Sequence, residues 1–425
     1  HLSGLIAALS EEATQCCLEV ARAAKKHGTV LSFDMTDSTS SVRVSRFLRS
    51  DDDQSIVGMI HEGMWLRVQG KINYSKYDED MVLEPRNIVH GEKVIRPDNA
   101  PQKRVELHLH TRYSALDAIS GPADLVARAA YWGHPAIAIT DHGVMYGCVQ
   151  FYKAAKKAGI KPIVGCEVYV ATRTRFDKVN KIDGNNHLIL LCKNETGYKN
   201  LIKMVSASFV EGFYSKPRID KQLLEQYHEG LICLSACLAG EIPQAILAGD
   251  YERAKTSALW YRDLFGEGNY YIELQDHGLK EDNIVLPQLI KLARETGIPM
   301  AATNDSHYLR REDAKMQGIL LCIQTGKTIQ DADKMEFQTD EFYVKTTDEM
   351  YDLFSMVPEA CENTAKIAEQ CSFDFDFGHT KIPYYKAPNG MDNQAFFEKL
   401  CWEGLERRYG PDVPQANKDR LSFEI

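Results

Sequence analysis

Between residues 105 and 303, short apolar runs alternate with amphipathic stretches, and this alternation constrains the fold more than any other feature of the chain. The apolar runs are VELHLH at 105–110, AIAIT at 136–140, PIVGCEVYV at 162–170, HLILLC at 187–192, LICL at 231–234, YYIEL at 270–274 and MAAT at 300–303. Helical patterns fall at 121–132, 147–158, 197–208, 242–248, 251–265 and 282–296. Strand-helix alternation predicts a parallel sheet wrapped by helices, and about seven such units favour a closed or nearly closed barrel over a two-layer sheet. In barrels of this kind the chemistry sits at the C-terminal ends of the strands.

The strand ends are unusual. His108 and His110 lie two apart, so in a strand both point to one face, and Asp117 follows in the first loop. By spacing alone, a metal site and an ordinary exposed pair are equally open. The later junctions decide between them. They read Thr140-Asp141-His142, Gly165-Cys166-Glu167, His187 at the start of the fourth strand, Ser235-Ala236-Cys237, and Asn304-Asp305-Ser306-His307. A run of consecutive junctions carrying His, Asp, Glu or Cys is hard to explain as solvated surface. Imidazole, carboxylate and thiol together suit zinc or manganese, and less well calcium or magnesium. Four ligands fill one tetrahedral zinc, so about nine imply two or three ions with bridging groups. Glu167 and Asp305 are the expected bridges, since a carboxylate offers two oxygens. Clustered ions of this sort point to phosphoester hydrolysis.

The rest of the chain frames that region. Apolar residues at helical spacing (Leu5, Ala8, Ala13, Cys16, Val20, Ala23), with a stop at His27-Gly28, predict a helix over 1–28. Residues 29–97 change period, with strands expected at 29–35, 41–47, 63–72 and 81–88 and a helix-like linker at 56–62. That order predicts a small all-β, OB-like barrel. Its Arg43, Arg46, Arg67, Lys71 and Tyr74 read equally as a single-strand-binding face or as solvated outer positions. A polar linker at 96–103 leads into the α/β domain, taken as 104–385, and the remaining 386–425 are mostly helical. No apolar run is long enough for a membrane span, and no signal segment is evident, so a cytoplasmic location with no membrane partner is expected. Eleven cysteines without a CxxC pair read as reduced thiols. The net charge of −10 argues against duplex binding through bulk charge, but it leaves room for an acidic site whose ions supply the positive charge. The start at His1 and the stop in RLSFEI predict a piece of something longer.

The segments HLHTRYSALD, AIAITDHGVMYG, KPIVGCEVYVA, HLILLCKNETGYKNL, LSACLAGEIP and TNDSHYL closely resemble the PHP (polymerase and histidinol phosphatase) domain of bacterial C-family replicative DNA polymerases, over about residues 105–410. The resemblance implies a distorted seven-stranded β/α barrel and a ligand set of His108, His110, Asp117, His142, Glu167, His187, Cys237, Asp305 and His307. These would hold two or three divalent ions, zinc and/or manganese, with magnesium also admissible, and Glu167, Asp305 and His307 would be the catalytic core. It further implies a metal-dependent 3′–5′ exonuclease that proofreads during DNA replication. The competing expectations are a metal-stabilised scaffold without nuclease activity and a small-molecule phosphatase. Around the ligands, Asp141 is read as orienting a ligand histidine, while Arg218 and His277 are read as substrate contacts. Implied partners are a single-stranded 3′ end and primer-template DNA, the remaining polymerase domains, the sliding clamp and other replisome subunits. The barrel-like region ahead of the domain resembles the PolC-type arrangement. The domain's own motifs look more like the DnaE type, and the 20 residues from Glu167 to His187 leave no room for the exonuclease domain that interrupts PolC-type enzymes. Residues 386–425 resemble the start of a polymerase palm whose carboxylates would lie beyond Ile425, so this stretch is not expected to polymerise.

Overall fold

The computed structural model describes residues 14–27, 30–36, 41–48, 56–91, 96–331, 333–380 and 382–425. It divides into two units, His1–Pro101 and Gln102–Ile425.

In the first unit, strands β1 (Thr14–His27), β2 (Val30–Thr36), β3 (Ser41–Phe47), β4 (Trp65–Ser75) and β5 (Asp80–His90) close a barrel in the order β1-β2-β3-β5-β4. Only β3 and β5 run parallel, and a helix at Ile56–Met59 separates β3 from β4, as in an OB-like barrel. Alternation puts Leu31, Phe33 and Met35 inside with Val42, Val44, Leu66, Val68 and Leu83. Strand β4 bends at Gly70, where its register with β5 shifts. A Cβ there would stand 2.0 Å from the Glu84 carbonyl oxygen, so the bulge requires glycine.

The helix expected over 1–28 is corrected for residues 14–27, which form β1; residues 1–13 lie outside the described residues. β1 pairs antiparallel with β2 on one side and β4 on the other. Cys16, Leu18 and Val20 also alternate in sequence, so the segment fits both periods. Two open edges that need a partner decide in favour of the strand. Arg43, a candidate for strand binding, is engaged by Asp34 at 3.0 Å and Asp78 at 2.9 Å.

In the second unit, β6 (Ala136–Ile139), β7 (Lys161–Ala171), β8 (Asn185–Cys192), β10 (Leu231–Leu234), β11 (Tyr270–Leu274) and β12 (Met300–Ala302) form a curled sheet in the order β12-β11-β10-β8-β7-β6, and the short β9 (Arg218–Ile219) pairs with β7. Residues 105–110, expected as a strand, form no regular ladder; only Leu109 bridges Ser306. They nevertheless join the two sheet edges. The Ala138 and Thr140 amides donate to the carbonyls of Glu106 (2.9 Å) and Leu109 (3.0 Å), while the His110 amide donates to the Ser306 carbonyl (2.9 Å) and the Ser306 amide to that of His108 (3.1 Å). The result is a distorted seven-stranded β/α barrel. Alternate strand residues feed two apolar layers. Ala136, Ala138, Ile189, Leu191, Ile232 and Leu234 pack with Ile367 and Ala368. Their neighbours Ile137, Ile139, Leu188, Leu190, Leu231 and Cys233 pack on the opposite face under the flanking helices.

The sheet is not all parallel, contrary to the strand-helix reading. β8 runs antiparallel to both β7 and β10. No helix lies between β7 and β8, so the chain turns back without the crossover that a parallel neighbour needs. The start of β8 therefore lies beside the end of β7, with His187 opposite Tyr169. The helices Asn393–Tyr409 and Gln415–Glu424 contain no buried residue. Among the described residues, no helix is long and apolar enough to cross a membrane.

Candidate metal centre

Glu167 on β7 and His187 on β8 fall on the strand face that carries Ile163 and Ile189, while their immediate neighbours Cys166, Val168 and Leu188 face the helices. This parity brings the two together across an antiparallel pair, with the other strand-end ligands converging on Glu167 and Asp305. Glu167 Oε1 is 2.8 Å from His187 Nδ1 and 3.4 Å from His108 Nε2. Its Oε2 is 2.5 Å from His142 Nδ1 and 3.3 Å from His110 Nε2. Cys237 Sγ lies 3.8 Å from Glu167 Oε1. Asp305 Oδ1 is 3.0 Å from Nε2 of both His108 and His110, and 3.6 Å from His307 Nδ1. Asp117 Oδ2 is 3.1 Å from His142 Nε2. All nine residues expected as ligands thus belong to one cluster. Within it, His110, His142 and His307, then His108, His110 and Glu167, then His142, Glu167 and His187, each offer three donor atoms within 4.8 Å of one another. His108, His110 and Glu167 are fully buried; Asp117, His142 and His187 form a partly exposed rim.

The cluster's polar atoms are close but unsatisfied. His108 Nε2, His110 Nε2, Asp117 Oδ1, His142 Nδ1, Glu167 Oε2 and Asp305 Oδ1 are buried and make no hydrogen bond. Such orphans are uncommon and costly in a native fold. Lone pairs aimed at shared space rather than at each other account for all six at once, and mixed imidazole, carboxylate and thiol donors fit divalent transition ions. The protonation states divide. Burial would lower His108 and His142, but Asp305, Glu273 and Glu167 raise the first, and Glu167 and Asp117 raise the second to about 10, so both rings carry a proton that a bound cation would have to displace. Burial would raise Glu167, but His187, His142 and His108 hold its carboxyl well below the usual range. Burial acts likewise on Asp305, against His108 and His307, which keep it ionised. For Asp117, burial is outweighed by the hydrogen bond from His142, and its pKa falls to about 2. Burial, with His142 and His307 nearby, lowers His110 to about 3, leaving the neutral imidazole that can ligate. Burial and the Asp305 and Glu167 carboxylates push the Cys237 thiol up; a bound cation acts in the opposite sense.

The backbone is strained here too. Asp305 (φ 45°) is left-handed, as are Leu116 and Ala236 (both φ 64°), which immediately precede Asp117 and Cys237.

Supporting contacts fix the rings. His108 Nδ1 is 2.7 Å from Glu273 Oε1, which also accepts from Thr303 Oγ1 (2.5 Å) and Gln275 Nε2 (3.1 Å). His110 Nδ1 is 2.9 Å from Ser114 Oγ, which donates to Asp141 Oδ1 at 2.8 Å. Asp141 also accepts from the Thr111 amide (2.7 Å) and hydroxyl (2.8 Å). Asp141 therefore supports His110 through Ser114, rather than the adjacent His142. Glu273 and Ser114 were not singled out in the sequence. The available signal was parity: Glu273 is a lone carboxylate in a buried run, on the strand face of Tyr271.

Two expected substrate contacts are corrected. Arg218 is 0% exposed and donates to the carbonyls of Gly212 (3.2 Å), Arg175 (3.4 Å) and Asp177 (2.7 Å). It clamps loop backbone and is closed to a substrate phosphate. His277 is buried, stacks on Phe342 at 3.9 Å, and its Nε2 meets the Asn304 carbonyl at 3.0 Å. Burial lowers its pKa to about 4, and it props the residue preceding Asp305.

Comparison with known proteins agrees with this geometry. Residues 106–277 match the PHP domain family. The chain is 46% identical over 327 residues to DNA polymerase III subunit alpha of Borreliella burgdorferi, covering 76% of this chain and 28% of that protein. The Treponema pallidum protein of the same name is 45% identical over 324 residues (76% and 28%), and that of Thermus aquaticus 41% over 328 residues (74% and 27%). The chain thus spans little more than a quarter of the length of these relatives.

Proposed function

We propose, for a chain that carries the PHP domain of a C-family replicative DNA polymerase, that its centre binds two or three divalent ions, zinc and/or manganese with magnesium admissible, and hydrolyses phosphodiesters at single-stranded DNA 3′ ends. The observation that carries this reading is the clustering of six buried, unsatisfied polar atoms, with those of His108, His110 and His142 converging on Glu167 and Asp305. When bound, the ions would supply Lewis-acid polarisation and charge neutralisation at the phosphoryl group. The chain's own residues do the rest. Glu167 and Asp305 hold the ligand sphere together from its buried floor, and the Glu273–His108 and Ser114–His110 contacts keep each Nε2 turned inward. His307 is held by its Nδ1 at 2.8 Å from the Asp305 carbonyl, leaving Nε2 to ligate or to carry a proton. The partly exposed rim of Asp117, His142 and His187 admits a frayed strand.

As part of a polymerase this activity would be proofreading, with primer-template DNA, the other polymerase domains, the sliding clamp and further replisome subunits as cytoplasmic partners. Residues 386–425 would lead into the palm, and the first unit would be its OB-like companion. The 425-residue chain should shorten a 3′ single-stranded oligonucleotide with Mn²⁺ or Zn²⁺ and stop on chelation. His108→Ala and Asp305→Asn should each abolish this; an unchanged rate in both would remove the assignment. Metal uptake that raises Tm with no hydrolysis under any metal would instead mark the centre as structural.

A further inference from the structure

Next to the centre, the helix Ala314–Thr325 with Ile329, Lys334 and residues 336–340 bound a groove of about 510 Å³. Two contacts tie its wall to the ligands. Phe337 sets its edge against the His307 ring at 5.0 Å, and the buried Gln317 donates to the Asp117 carbonyl at 3.2 Å. The groove also holds polar groups that the chain does not use. Tyr308, which lines it, is 0% exposed. The Phe342 amide lies beside its hydroxyl, yet among the described residues that hydroxyl completes no hydrogen bond. The buried Thr339 Oγ1, also in the lining, has none either. Lys315 makes no ion pair or hydrogen bond among the described residues, in a chain of net charge −10. An aromatic edge, an apolar wall at Ile319, two unpaired hydroxyls and Lys315, with the lining carboxylates Glu336 and Asp340 already paired to Lys334 and Arg311, fit a planar base with a polar rim, attached to a phosphate.

We propose that this groove seats the terminal nucleoside of single-stranded DNA, so that the phosphodiester on its 5′ side lies at the metal centre. The proposal rests on the nuclease reading of that centre. Hydroxyls that both donate and accept would serve any of the four bases, as a sequence-tolerant exonuclease needs.

Binding separates this idea from catalysis. In EDTA, where cleavage is blocked, anisotropy of a fluorescein-labelled oligothymidylate on the 425-residue chain should show Kd raised roughly tenfold by Phe337→Ala, through lost stacking. Lys315→Ala should raise it about threefold, more at low salt. Tyr308→Phe should weaken binding about threefold while leaving Tm unchanged or higher, because the free protein gains nothing from an unpaired hydroxyl. With Mn²⁺ the same variants should raise KM by more than they lower kcat. No oligothymidylate binding by the wild type, unchanged Kd in all three variants, or a Tyr308→Phe protein with lowered Tm would each overturn the groove assignment, even if Asp305-dependent hydrolysis persists. Weakened binding in the variants with no hydrolysis by the wild type under any metal would keep the groove and remove only the nuclease reading.

Discussion

The second unit contains two clusters that set cationic or basic side chains against carboxylates and differ in construction. Around the loop after β7, Arg175 meets Asp220 (3.0 Å) and Glu211 (2.6 Å), Arg173 grips Asp183 with two nitrogens (2.6 and 2.7 Å), and Arg218 binds three carbonyls. Opposite charges there are matched with proper hydrogen bonds, and one nitrogen, Arg218 Nη1, lacks a partner. At the candidate metal centre, six atoms lack one although their neighbours are as close. The first cluster satisfies all but one of its buried polar atoms internally; the second leaves six unsatisfied. Unmet hydrogen bonding, rather than buried charge, separates a binding site from a structural ion-pair network.

The largest expected effect breaks the closed cluster. Asp220→Ala strips Arg175 of its buried partner and removes the cap on Leu223, and should cost about 3–5 kcal/mol in urea unfolding, with metal content per folded molecule unchanged. Next comes pH. His277 has a folded pKa of about 4, below its ordinary value, so the unfolded chain takes up the proton first. Its contribution should be complete above about pH 6.5 and fall away towards pH 4, by at most about 3 kcal/mol. His277→Phe, measured over that window, should flatten this part of the profile. Metal should affect only the open cluster. Zn²⁺ or Mn²⁺ at about 100 times Kd should add about 2.7 kcal/mol to the wild type, and Glu167→Gln should cancel the gain. The smallest effect concerns positioning: Glu273→Gln should weaken metal affinity roughly 10- to 100-fold by calorimetry while conserving the fold. Unchanged affinity would mean that Glu273 does not orient His108.

The two clusters were not equally legible in the sequence. The residues of the candidate centre could be read because successive strand ends repeat the same residue types, and topology brings strand ends together. The supporting residues could not. Glu273 lies inside a strand, where only face parity marks it, and Ser114 acts through a local turn. Arg218 and His277 were misread because type and position indicate what a side chain can bind, not whether backbone carbonyls have already engaged it. Residues 14–27 fit the helical reading for a similar reason. Their spacing supports two periods, and only pairing with β2 and β4 selects one. The direction of β8 had one clue, the missing helix before it, which is easily passed over when the apolar runs look alike.

That reversal has a consequence for how such a domain can be extended. Ala171 and Asn185 face each other across the β7–β8 pair, so the intervening chain leaves and re-enters the sheet at neighbouring points, both beside the rim of the centre. Loop closure grows only slowly with length. Additional residues can therefore be spliced in at this threshold with little entropic penalty and without breaking the pairing that holds Glu167 and His187.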